Sequence, residues 1–266
     1  MIFFYISESQ LTIKLKYINL IDDFCGKWGL NLELRNDWAL FKIQLTIAFK
    51  ERFYFVYTLI VPMFMVFLNK TLDFQDNESI YVYWSYIVVT TVFNGFLLNL
   101  VRLRESGFLK TLTYLSGSQH SIVLANLLVQ LVIVQLEIFL FNLYVTFFIT
   151  HVSALTFVYG FLSSSLITIL CIAMMSIFFI LKIRRAIFNY LVGGIFTIGV
   201  LLLGVHPQGT NKAVLTVFSP FQFVYGLYVI PCSTIRYAIF LAFCSLLYLT
   251  ISVLVFKKFS IGEKLR

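Results

Sequence analysis

The chain has 266 residues, of which 60% are hydrophobic and only 12% are charged. An ordinary soluble domain carries about 25% charged residues and cannot hide this much apolar surface in one core, so a water-soluble globular fold is excluded. The net charge of +8 does not signal nucleic-acid binding, because the basic residues flank apolar runs and form no groove or stripe with aromatics.

What remains is an all-α polytopic membrane protein whose first partner is the lipid bilayer. The opening MIFFYISESQ lacks the basic start of a secretory leader, and residues 1–35 are expected as an N-terminal cytoplasmic segment. Asn36 or Asp37 then predicts the cap of a helix running from Trp38 to Arg52. On it Trp38, Phe41, Leu45 and Ala48 share a face, the pattern of an interfacial helix lying along the inner leaflet.

A membrane helix needs about 20 apolar residues, and six segments qualify: about 53–69, 80–101, 122–149, 155–181, 186–205 and 237–256. Pro62 in the first predicts a kink. Six spans with both termini cytoplasmic leave 17 of the 20 Lys and Arg residues on the inner side, with only Lys70, Lys212 and Arg236 outside. This asymmetry fits the positive-inside rule. It argues against a seventh span at 213–235, which would push the basic tail KKFSIGEKLR outward. Residues 206–235 are too apolar for a solvated loop, so they predict an outer re-entrant hairpin, with Phe218, Phe221, Phe223, Tyr225 and Tyr228 suited to the membrane interface.

Between the second and third spans lies RLRESGFLKTLTYLSGSQHS, residues 102–121. Read as a helix over 104–115, it places Phe108, Leu112 and Leu115 on one side, with Ser106, Lys110 and Thr113 on the other. Such an amphipathic helix either rests on the membrane or presents a face to a partner.

Glu137 is the only carboxylate inside an expected span, and a charge at that depth costs several kcal/mol unless paired, protonated or wetted. Gln130 and Tyr144 lie seven residues to either side and point the same way, with Asn126 less well aligned. This polar line reads either as a translocation path or as an interhelical hydrogen bond made by a protonated carboxyl. Gly193, Gly194, Gly199 and Gly204 crowd the fifth span, as Ser163, Ser164 and Ser165 do the fourth, marking a dimer face or an internal packing face. Cys25, Cys171, Cys232 and Cys244 have no CxxC spacing, and His120, His151 and His206 stand apart. No metal site and no catalytic set is expected.

The segment RLRESGFLKTLTYLSGS, followed by a long apolar helix, resembles the inner loop of permeases of the type-2 ATP-binding cassette (ABC) exporter family. There a basic residue, Glu, a small residue, Gly, an apolar pair, a basic residue and Leu follow one another. The matching positions are Arg104, Glu105, Ser106, Gly107, Phe108 with Leu109, Lys110 and Leu112. FSPFQFVYGLY is similar to the family's outer segment, and the plan of interfacial helix, six spans, inner loop and outer hairpin matches over residues 36–258. The family often continues with a Pro-containing turn where this chain has SGSQHS.

The resemblance implies a six-helix transmembrane permease domain at 36–258, a cytoplasmic tail at 259–266, and location in the cell membrane. It further implies a cytoplasmic coupling helix, in which Arg102, Arg104 and Glu105 fix register against a cytosolic nucleotide-binding ATPase subunit. Phe108, Leu109 and Leu112 would supply the buried contact. The chain has no G-x-x-x-x-G-K-[ST] phosphate loop, so it is expected to bind no cofactor itself, with ATP and Mg held by the partner. A second permease copy or paralogue would complete the path, and the cargo would be amphipathic or apolar: a small peptide, drug or lipid-linked molecule. Two other classes stay open, an ion- or proton-coupled carrier or channel centred on Glu137 and a non-transporting immunity or sensor subunit.

Overall fold

The structure, a computed structural model, describes residues 32–50, 52–68, 77–105, 107, 109, 112–113, 119–148, 153–180, 190, 193–195, 197–201 and 210–258. Among these there is no strand. Helix α1 spans Leu32–Lys50 and α2 Arg52–Leu68. Helix α3 runs in three joined pieces, Asn77–Thr91, a π-helical stretch Val92–Leu98, and Asn99–Glu105. Helix α4 is Gln119–Phe148, and α5 is Ala154–Met175 with a 3-10 extension Ser176–Ile180. Two short helices, α6 at Thr210–Phe218 and α7 at Pro220–Tyr228, precede a 3-10 turn at Ile230–Cys232 and the last helix, α8, at Ile235–Lys258.

Four of these are long and apolar enough to cross a membrane: Ser79–Glu105, Ser121–Phe148, Ala154–Phe179 and Ile235–Lys257. Helix α2 is as apolar but has 17 residues, a rise of about 26 Å against a hydrocarbon core of about 30 Å. Most of the expected fifth span lies outside the described residues, which hold helical turns there at 193–195 and 197–201. Pro62 stays inside α2, which continues past it to Leu68.

Helix starts follow side-chain chemistry. Ser153 caps α5, its hydroxyl accepting from the Thr156 amide at 3.1 Å. Ser219 caps α7 with Pro220 in the first turn, where a missing amide hydrogen costs nothing.

Three expectations change. Helix α1 spans Leu32–Lys50, so Asn36 and Asp37 lie within it and not at its start. Its buried side carries Leu40 and Gln44, while Trp38 is 48% exposed. Trp38 stacks on Phe41 at 5.3 Å and lies under Lys42 Nζ at 5.5 Å. Trp38 therefore points away from the bundle while Phe41 packs partly against its core, and the buried side of the helix docks on α4. There the Gln44 amide donates to the Ile122 carbonyl at 3.1 Å.

The second change concerns the loop. Helix α3 carries Arg102 and Arg104 in its own last turn, and the chain breaks at Gly107, whose φ is +70°. A helix running unbroken from 104 is thus ruled out, because a left-handed residue ends a right-handed helix. Helical conformation resumes at Leu109 and at 112–113, where the Thr113 hydroxyl donates to the Leu109 carbonyl at 2.8 Å. Gly107→Ala is expected to cost about 1 kcal/mol, read as faster proteolytic nicking of the loop at unchanged helix content.

Third, the apolar segment before the last helix is core. Phe221, Phe223 and Tyr228 are fully buried, Tyr225 is half-buried, and Phe218 is exposed as an interface residue would be. Helix α7 lies against α3 and α5. Tyr81, Trp84 and Tyr228 form one ring cluster there, with centroids 5.3 to 6.1 Å apart.

Candidate functional site

Glu137, near the middle of α4, is completely buried. One carboxyl oxygen contacts the Thr58 hydroxyl of α2, and the other contacts the Thr91 hydroxyl of α3. One acidic group therefore ties three helices together. Thr58 stands four residues before Pro62, whose missing N–H leaves the Thr58 carbonyl without its helical donor. Thr91 is the residue at which α3 passes into its π-helical stretch, a widening that often accompanies functional sites.

That widened turn brings Gly95 onto Gln130. A β-carbon at Gly95 would lie 2.1 Å from Gln130 Oε1, so only glycine admits the amide in this position. Between these groups lies a cavity of about 40 Å³, lined by Thr58, Thr91, Asn94, Gln130 and Glu137 together with apolar residues of α1, α2 and α4. A single water needs about 10–15 Å³ measured this way, so the space suffices for two or three. Gln130 Oε1 is buried and has no hydrogen-bond partner among the described residues. Its amide nitrogen reaches Asn126 Oδ1 at 3.5 Å, and Asn126 in turn reaches the Phe96 carbonyl at 3.5 Å.

The structure thus joins Asn126, Gln130 and Glu137 in one buried polar line. Tyr144 is not part of the cavity. It is half-buried, with its ring 5.1 Å from Phe148. Sequence reading missed Thr58 and Thr91, because a lone threonine in an apolar helix carries no signal of its partner.

A second polar clasp joins α4 to α5, where the Gln135 amide nitrogen donates to Ser164 Oγ at 2.9 Å and Ser165 Oγ at 2.6 Å. A double-mutant cycle of Gln135→Leu with Ser165→Ala is expected to give a coupling of about 0.6 kcal/mol, and at most about 1.7. Detergent-denaturation midpoints of the four proteins measure it.

No family model, curated protein or solved structure matches this chain. The remaining site residues therefore rest on their own geometry. Arg102 and Arg104 are half-buried at the end of α3, Glu105 and Gly107 are exposed, and Phe108 and Lys110 lie outside the described residues. Leu109 and Leu112 are 3% and 2% exposed and join the chain's own core. They fasten the loop to the bundle and are not open to a partner, unlike the contact expected for them.

Of the glycines, Gly193 and Gly194 have open space where a β-carbon would stand, whereas a β-carbon at Gly199 would fall 2.3 Å from the Phe221 ring. Gly199 is thus a packing position inside the chain; Gly204 falls outside the described residues. Among the described residues no group of three or more His, Cys, Asp or Glu side chains gathers as a metal site would need.

Proposed function

We propose that this chain is the membrane permease subunit of an ATP-driven exporter of the type-2 ABC kind, paired with a separate nucleotide-hydrolysing subunit and a second permease copy. The observation that carries the reading is the helical pair Thr210–Phe218 and Pro220–Tyr228, folded into the bundle just before the last membrane helix. A re-entrant outer hairpin in that place, with an amphipathic helix preceding the first apolar helix, is the plan that RLRESGFLKTL independently resembles.

In this reading the loop after α3 is the lever. Leu109 and Leu112 fix it to the core, and exposed Glu105 and Gly107 with Phe108 meet the partner. Work done by ATP hydrolysis then reaches α3 and α4 through the loop's rigid attachment. The apolar bundle suits an amphipathic or apolar cargo.

Sidedness is the sharpest test, and the chain carries its own reference. Cys232, at the α8 start, is exposed. In intact cells a membrane-impermeant maleimide should label Cys232 and leave a cysteine at Glu105→Cys untouched until permeabilisation. Labelling of the introduced cysteine from outside would end the exporter reading. With the sides established, Phe108→Asp should release the ATPase subunit and abolish ATP-dependent uptake into inverted vesicles.

A further inference from the structure

Glu137 presents a problem of hydrogen counting. The Thr58 hydroxyl lies 3.0 Å from the Phe55 carbonyl of its own helix and also contacts Glu137 Oε1. It owns one hydrogen and cannot donate to both. If it donates to Glu137, an ionised carboxylate would rest on two hydroxyls with no basic partner. No Lys, Arg or His lines the cavity among the described residues, and an unpaired charge at this depth is expensive. If Glu137 carries the hydrogen, every group is served: its O–H donates to Thr58, Thr58 donates to Phe55, and Thr91 donates to the other carboxyl oxygen.

The cavity beside it supplies the second observation. Gln130 Oε1 is an unpartnered acceptor on a residue 1% exposed, and Gln130 lines a space large enough for water. Nothing about a permanently sealed hydrogen bond requires such a space. The groups facing Glu137 are otherwise neutral. Ile47 and Ala48 come from α1, Phe55 from α2, and Asn94 and Asn99 from α3. A titratable neighbour is Tyr86 of α3, which interacts electrostatically with Glu137.

We propose that the cavity between Glu137 and Gln130 is a proton-binding site, in which Glu137 exchanges its proton with water held against Gln130. On release, the O–H bond of Glu137 breaks and its proton joins a cavity water. That water returns a proton to bulk along the chain of waters. The Thr58 hydroxyl then turns its hydrogen from the Phe55 carbonyl to Glu137 Oε1. The site changes from neutral to one negative charge, and α2 loses the Thr58–Phe55 hydrogen bond in the turns before Pro62. Proton occupancy is thereby linked to the shape of the first membrane helix. This inference stands apart from the exporter reading, since it requires neither an ATPase nor a cargo.

Infrared difference spectra of the full chain in lipid vesicles test it. At neutral pH a carboxylic-acid C=O band should be present, vanish in Glu137→Gln, and shift when the vesicles are moved into D2O. Thr58→Val should move the same band by removing its acceptor, which assigns it even if Glu137→Gln fails to fold. Gln130→Leu, which leaves the carboxyl clasp intact, should slow the deuterium shift about tenfold, the worth of one lost hydrogen bond to water. A band absent at neutral pH, or unmoved by Thr58→Val, would overturn the proposal. So would one that never exchanges, because the clasp would then be only structural. A carboxylate band that responds to sodium at constant pH would assign the site to a metal cation instead.

Discussion

Trp84→Ala should lower the stability of the bundle by about 3–5 kcal/mol. Trp84 is fully buried. Its indole N–H donates to Asn142 Oδ1 at 2.8 Å, tying α3 to α4. Its ring packs against Tyr81, Tyr159 and Tyr228, which belong to three different helices. In a bilayer the helices gain nothing by leaving water, so close packing and interhelical hydrogen bonds hold them together. Truncation removes both at one position. The pairing with Gly160 sharpens the test, because a β-carbon there would sit 2.7 Å from the indole. Gly160→Ala should therefore destabilise by about 1–3 kcal/mol through overpacking. In Trp84→Ala that penalty should disappear. Midpoints of unfolding in mixed micelles would show this non-additivity, and strictly additive losses would contradict the packing described.

Phe221→Ala should cost about 3–5 kcal/mol and act at a distance along the chain. Phe221 opens α7 and is fully buried. It faces Tyr86 of α3 with centroids 6.4 Å apart, and its ring closes on Gly199. Without it the short helical pair α6–α7 loses its hold on Gly199. The expected signature is a rise in impermeant labelling at Thr216→Cys, a position buried in the intact bundle, with the helix content of the long spans preserved. Unchanged labelling would mean that α7 is held by Phe223 and Tyr228 alone.

The membrane class was legible at once, because 60% hydrophobic content admits no soluble alternative. Spans two, three, four and six also read well, since long uninterrupted apolar runs leave little choice of period. The short elements read worse. Asn36 and Asp37 looked like caps, but the helix starts earlier and tertiary contact through Gln44 fixes its register. The aromatics of 218–228 read as interfacial, because a sequence shows that a ring is amphipathic and not which rings it meets. Glu137 could be found from its charge alone. Its partners could not, since Thr58 and Thr91 come from helices whose rotation only packing determines.

The π-helical stretch at Val92–Leu98 has a mechanical implication. Its hydrogen bonds span one residue more than those of an ordinary helix, i→i+5 in place of i→i+4, so the stretch holds a surplus residue. Expelling that residue toward the carboxyl end would screw Asn99–Glu105 round by about 100°, the angular step of one α-helical residue. Arg102 and Arg104 would swing to a new bearing at the end of α3 with no hinge, no broken chain and no change in the first half of the same rod. The helix that borders the cavity is thus built with torsional slack beside the buried acid.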